Sequence, residues 1–291
     1  MEPGRAAIRP ADALTGDRLP PAVAAALRRW GLAPDGALLE TPSSWILPVC
    51  GEGAPAVLKV ARTADERRGY GLMQWWAGQG AAAVLASAPG VLLLERATGR
   101  RDLAAMARAG QDDEATRILC RTAGRLHQAR PGSVPELHPL PAWFQPLFDM
   151  AGRDSSLARA AAAASRLLAE PRSIGPLHGD LHHGNVLDFG ARGWLAIDPH
   201  GLLGERCFDY ANIFTNPDLD DPAWPVATLP GRLEARLAIV AATAPVEPGR
   251  MLQWIVAWTG LSAAWFIGDG NDEGAAIDLT INRAACGLID V

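Results

Sequence analysis

Apolar positions change their rhythm once along this chain. Up to about residue 95 they come in short runs broken by glycine and proline, whereas beyond Arg101 they recur at helical spacing. In the first part, residues 20–31 (PPAVAAALRRWG) predict a short helix opened by proline and stopped by glycine. Residues 45–49 and 56–60 predict the strands of a hairpin turned at Gly51, Glu52 and Gly53, with Lys59 inside the second strand. Residues 64–78 predict a helix capped by Thr63 or Asp65. Two further strands, 83–85 and 91–94, flank a turn at Pro89-Gly90. The later pattern predicts helices over 103–109, 114–127, 155–168, 229–242 and 251–266, interrupted at 178–185, where the chain reads HGDLHHGN. The break divides the chain into a sheet-bearing part, 1–95, and a mainly helical part, 96–291. Two connected lobes of an α+β protein imply a cleft between them, where ligand sites concentrate.

Composition narrows the classes. A hydrophobic content of 49% over 291 residues supports a sizeable packed core and excludes a disordered or fibrous chain. The net charge of -5 argues against nucleic-acid binding, which requires concentrated Lys and Arg, and suits a cationic small molecule better. The four cysteines are far apart with no CxxC pair, which fits neither a zinc site nor a disulfide framework. Residues 1–16 lack the long apolar stretch of an export signal, and no later segment of ~18 apolar residues runs free of charge, glycine or proline. The expectation is a cytoplasmic protein with no membrane association.

Phosphoryl transfer from ATP needs a cation on the phosphates, oxygen ligands for magnesium and a carboxylate that orients the attacking hydroxyl. Lys59, the sole lysine of the chain, stands on a strand where it can reach phosphates, and Glu66 in the following helix can pair with it. Asp180 is the candidate catalytic base. Asn185, five positions on, and Asp198, at the end of the apolar run Trp194-Leu195-Ala196-Ile197, offer hard oxygen donors to Mg2+.

His178-Gly179-Asp180 with Asn185, followed by Ile197-Asp198, resembles the aminoglycoside phosphotransferase branch of the protein-kinase-like fold. The run GWLAIDPHGLLGE (193–205), together with DERRG (65–69) and LSAAW (261–265), is similar to the streptomycin 6-phosphotransferase and hydroxyurea phosphotransferase group. That resemblance spans about residues 43–265. It implies a bilobal fold, with ATP between a small lobe built on an antiparallel sheet and a larger helical lobe, and phosphate passing to a hydroxyl of streptomycin or a related aminoglycoside. It further implies Asp180 as base, Asn185 and Asp198 on magnesium, Lys59 and Glu66 at the phosphates, and backbone from Glu95 to Ala97 as the adenine-binding hinge. The chain lacks a GxGxxG loop. The equivalent turn is Thr41-Pro42-Ser43-Ser44, where Ser43 and Ser44 stand as donors in its place. No room exists between Asp198 and Asp209 for a long activation segment, which favours a small acceptor over a peptide.

Other readings of the same residues exist. The acceptor can be hydroxyurea or another small metabolite. His178, Asp180, His182 and His183 also form a metal-hydrolase ligand pattern, and a pseudokinase would bind nucleotide without turnover. His178 reads as a loop-orienting residue; His182 and His183 read as solvent-facing or substrate-touching; Asp209 reads as a cap or a brace for the 178–185 loop. Trp254, Trp258 and Trp265 fall at helical spacing and read as core. Asp269, Asp272 and Glu273 form an acidic loop after that helix, suited to guanidinium or ammonium groups of an acceptor.

Overall fold

The computed structural model describes residues 9–10, 19–51 and 54–289. Most of the N-terminal stretch and the turn residues Glu52 and Gly53 lie outside the described residues. The first part of the chain contains β1 (Arg9–Pro10), α1 (Pro21–Trp30), β2 (Ala33–Pro34), β3 (Leu39–Glu40), β4 (Ser44–Gly51), β5 (Ala54–Ala61), α2 (Ala64–Trp76), β6 (Val84–Ala88) and β7 (Val91–Glu95). Its strands form one antiparallel sheet in the order β1-β3-β4-β5-β7-β6, with β2 also paired to β4. Strand alternation decides what each face carries. Ala56, Leu58 and Val60 of β5 join Leu47 and Val49 of β4 under Val23, Ala26 and Leu27 of α1. On the opposite face, Leu92 and Leu94 of β7 pack with Tyr70, Leu72, Met73 and Trp76 of α2. Lys59 lies between Leu58 and Val60 and pairs across the ladder with Leu92, so it projects on the α2 face.

Helix boundaries follow local chemistry. α1 carries proline at its first turn and ends at Gly31 in the left-handed region (φ 60°), while Arg28 and Arg29 complement the negative end of its dipole. α2 starts where the Thr63 hydroxyl accepts the Glu66 N–H at 3.3 Å, a cap that sets Glu66 in its first turn.

The helical part contains α3 (Leu103–Met106), α4 (Asp112–Leu126), β8 (His138–Pro139), α5 (Leu140–Trp143), α6 (Gln145–Ala151), α7 (Ala158–Ala169), β9 (Ile174–Leu177), β10 (Val186–Asp188), β11 (Trp194–Ala196), β12 (Leu202–Glu205), a 3-10 segment (Arg206–Phe214), α8 (Arg232–Thr243), α9 (Pro248–Gly268) and α10 (Asp272–Ile289). α9 is the axis of the core, with Trp254 and Ile255 fully buried and α7 and α10 packed along it. A Cβ added to Gly260 would collide with Ala160, so the small residues let α7 and α9 close on each other. α9 is long and apolar enough by length and composition to cross a membrane, with mean hydropathy 1.2, yet 78% of that stretch is buried inside the protein. All four cysteines are free thiols, and burial pushes that of Cys120 up to about 12.

Two small ladders frame residues 178–185. β10 and β11 form an antiparallel pair after the segment, and β9, which leads into it, pairs antiparallel with β12, itself parallel to β8. The predicted helices are present with shifted ends; the pattern does not anticipate β1, β2, β3, α5, α6, β8, β9, β10, β12 or α10. The acidic residues expected in a loop after α9 are partly helical. Asp272 and Glu273 occupy the first turn of α10, where negative charge complements the helix dipole, and the Asn271 side chain accepts the Gly274 N–H at 3.0 Å. Asp269 closes α9.

Candidate active site

Lys59, Glu66 and Asp198 meet where the α2 face of the sheet looks onto the turn after β11. The Lys59 ammonium forms ion pairs with both carboxylates. Burial opposes its charge, but Asp198 and then Glu66 outweigh that cost and hold its pKa above the ordinary lysine value. The same ammonium holds the Asp198 carboxyl below its usual range against the cost of burial. Asp198 lies two residues beyond β11 rather than on it, with left-handed backbone (φ 61°). Non-glycine residues seldom hold that conformation, and aspartate tolerates it better than most. α2 reaches this turn because Gly69 has no side chain: a Cβ there would collide with the Pro199 carbonyl.

Asp180 is gripped from two sides. Asn185 Nδ2 donates to Asp180 Oδ2 at 2.9 Å and to its backbone carbonyl at 2.8 Å. Asn212 Nδ2 donates to Asp180 Oδ1 at 2.6 Å, and Asn216 Nδ2 in turn donates to Asn212 Oδ1 at 3.0 Å. The amide nitrogen of Asn185 is thus committed to Asp180, which leaves its amide oxygen as the atom available to a cation. Neither Asn212 nor Asn216 was expected to matter. A signal was present: Asn212 interrupts the apolar run Tyr210-Ala211-Ile213-Phe214, and a buried amide needs a partner.

The backbone of the loop is held by Asp209, in the bracing role the sequence suggested. Its Oδ2 accepts the His178 N–H at 3.0 Å and lies 2.8 Å from His127 Nε2, while Oδ1 accepts the Gly179 N–H at 2.8 Å. Desolvation opposes its charge, but the His127 hydrogen bond and the other donors win, and its pKa falls below the carboxylate norm. His178 Nε2 lies 2.8 Å from the Ile197 carbonyl, and Nδ1 accepts the Asp180 N–H at 3.2 Å. Those partners assign a neutral ring with its proton on Nε2, and burial lowers its pKa accordingly. Its ring also stacks beside Trp76 of α2, centroids 6.0 Å apart.

Several residues sit otherwise than their sequence suggests. His182 and His183 are buried, not solvent-facing. His182 Nδ1 accepts the Gly184 N–H at 3.1 Å, and among the described residues neither nitrogen of His183 has a hydrogen-bond partner. A hydrolase-type metal set from His178, Asp180, His182 and His183 fails for a separate reason: both nitrogens of His178 are spent on backbone, and among the described residues no group of three or more His, Cys, Asp or Glu could hold a metal. Ser44 is buried and its N–H donates to the Thr41 hydroxyl at 2.9 Å, so this amide is not free for phosphate. Ser43 stays half-exposed at the turn. Glu95 accepts the Ala83 N–H at 2.6 Å through Oε1, which also meets Arg192; Ala97 packs at the edge of the core. Asp269, Asp272 and Glu273 are exposed. A row of rings leads back from them: Trp265 of α9, whose carbonyl accepts the Asp269 N–H, lies edge-on to Trp143 at 5.4 Å, and Trp143 lies 4.9 Å from His200, two residues after Asp198.

Known proteins similar to this chain are kinases and phosphotransferases. Residues 29–270 match the family described as aminoglycoside/hydroxyurea antibiotic resistance kinase. A streptomycin 3''-kinase of Klebsiella pneumoniae is 66% identical over 266 residues, covering 91% of this chain and 100% of that protein. A streptomycin 6-kinase of Streptomyces griseus is 31% identical, covering 87% and 84%. Among solved structures, aminoglycoside phosphotransferase APH(4)-Ia superposes with a TM-score of 0.63 at 17% identity, over 91% of this chain and 97% of that one. A choline/ethanolamine kinase family protein from Mesorhizobium loti gives 0.61 at 15%, over 89% and 88%. At such identities the structures establish the fold, which is the α+β, protein-kinase-like one. With a matched region reaching from the end of α1 to the end of α9, the chain belongs to the aminoglycoside/hydroxyurea antibiotic resistance kinases and is a small-molecule phosphotransferase.

Proposed function

We propose that this enzyme transfers the γ-phosphoryl group of ATP to a hydroxyl of streptomycin, with Asp180 as the base. The observation that carries the reading is the doubly held Asp180 carboxylate beside the Lys59–Asp198 pair, in a chain 66% identical to a protein named as a streptomycin kinase. ATP would lie between the sheet of residues 1–95 and the helical part 96–291, its adenine against the backbone from Glu95 to Ala97. Lys59, oriented by Glu66, binds the phosphates, with Ser43 at the turn above them. Asn185 Oδ1 and the Asp198 carboxylate suit Mg2+, which prefers a few hard oxygens and completes its shell with water and phosphate; once bound it neutralises charge on the β- and γ-phosphates.

In the transfer the acceptor oxygen bonds to the γ-phosphorus as the bond to the bridging oxygen breaks, ADP departs, and the hydroxyl proton passes to Asp180. Asn185 and Asn212 fix the carboxylate so that little reorganisation is needed at that moment. On the acceptor side, Trp143 and His200 form a partly exposed aromatic wall, and Asp269, Asp272 and Glu273 lie beyond it. Rings and carboxylates together suit a cationic acceptor.

The test is incubation with magnesium and ATP against streptomycin, other aminoglycosides and hydroxyurea, read by mass. A gain of one phosphate on streptomycin, absent with Asp180→Asn, is expected, and NMR then identifies the phosphorylated hydroxyl. Phosphorylation of hydroxyurea alone would replace the acceptor. Full turnover in Asp180→Asn would remove Asp180 as base.

A further inference from the structure

A cavity of about 370 Å3 lies between the end of α4, the start of the 3-10 segment and the turn from α8 into α9. Its size is that of a small-molecule site. Three arginines line it, and two are neutralised: Arg250 is bidentate to Glu205 (2.8 and 2.5 Å), and Arg172 meets Glu247 at 2.8 Å. Arg206 has no carboxylate partner among the described residues, and its buried Nε has no hydrogen bond. The guanidinium lies flat on Gly175, where a Cβ would come within 2.7 Å of Nε. Ser173, on the same wall, accepts the Arg206 N–H through its carbonyl and holds an unfavourable left-handed backbone (φ 46°). Val246, Pro245 and the Tyr210 ring supply apolar surface.

We propose that this cavity is a regulatory site for a small molecule with one anionic group and an apolar body. The anionic group pairs with Arg206, which recovers the interaction that a half-buried, uncompensated guanidinium lacks, while the body covers Val246 and Tyr210. The site connects to the chemistry by a short covalent and hydrogen-bonded path. Arg206 opens the segment Arg206–Phe214 that carries both Asp209 and Asn212, the residues that hold the 178–185 loop and the Asp180 carboxylate. His127, which also lines the cavity, bonds directly to Asp209. An occupant therefore stiffens the segment that positions Asp180 without touching Asp180 itself.

The experiment uses the full chain with excess magnesium and ADP, so that a phosphate-binding cleft elsewhere is filled, and titrates phenyl phosphate, benzoate and phenol by calorimetry. The expected result is saturable one-to-one binding of an anionic probe but not of phenol, weakened about tenfold or more in Arg206→Gln. Hydrogen exchange at His178 and Gly179 should slow on binding in the wild type only. Absence of saturation, or equal affinity in a folded Arg206→Gln protein, overturns the proposal. If Arg206→Gln does not fold, Val246→Trp fills the cavity without changing charge, and unchanged anion binding there overturns it equally. Neither readout depends on the acceptor, so failure here leaves the kinase assignment standing.

Discussion

Replacing Asp209 by asparagine tests how the active-site loop is held. The buried carboxylate accepts from His178 N and His127 Nε2 at one oxygen and from Gly179 N at the other, all within 3.0 Å. An asparagine can keep its carbonyl oxygen toward the first pair, but its NH2 then faces the Gly179 N–H. One charge-assisted bond worth about 2 kcal/mol is lost, and the other two drop to neutral strength at about 1 kcal/mol each. The sum, about 4 kcal/mol, is a large fraction of the 5–15 kcal/mol typical of folded domains. With a urea slope of about 3 kcal/mol per M, the unfolding midpoint falls by more than about 1 M. The effect also has a pH signature. Because the native pKa of Asp209 is depressed, its contribution is complete above the unfolded carboxylate value of about 4 and is lost as pH falls toward the lower native value. The stability gap between wild type and Asp209→Asn should thus be wide at neutral pH and narrow below about pH 4. Activity should fall with it, because the Gly179–Asp180 backbone loses its anchor. A variant with wild-type midpoint and turnover, or a gap that stays constant into acid, would refute the bracing role.

Asn212→Ala removes the 2.6 Å bond to Asp180, and kcat should drop by about tenfold to a hundredfold with KM for ATP little changed; steady-state kinetics separate the two. Lys59→Met leaves Glu66 and Asp198 facing each other without their shared cation, so turnover should fall by at least about a hundredfold and nucleotide affinity should weaken, measured by coupled assay and calorimetry. Arg236 is bidentate to Asp112 (2.9 and 2.6 Å) and ties down the Ile213 and Asn216 carbonyls, both at 2.7 Å, all in the core. Arg236→Ala should cost about 3–5 kcal/mol, whereas the apolar double replacement Arg236→Met with Asp112→Leu should recover much of that loss in chemical denaturation.

What the amino-acid pattern alone determined is local. Short apolar runs split by glycines marked the β4–β5 hairpin, and the proline and glycine around 20–31 bounded α1, because these signals arise from backbone sterics within a few residues. The spacing of His178, Asp180 and Asn185 was equally legible, since a tight loop brings Asn185 back onto Asp180 without help from distant chain. The tertiary structure decided everything that depends on approach across sequence distance. Asn212 and Asp209 reach the loop from 30 or more positions away, along a short 3-10 segment with no periodic signature. His183 is buried although the next residue, Gly184, is exposed, which a polar letter does not announce, and the Ser44 amide is consumed by a turn that composition alone leaves open. α10 escaped notice because its acidic first turn reads as a solvated loop until Asn271 and the packed face of α9 give the helix a cap and a wall. Helix and strand are written in neighbours; the grip on Asp180 exists only after folding brings separate segments within hydrogen-bonding distance.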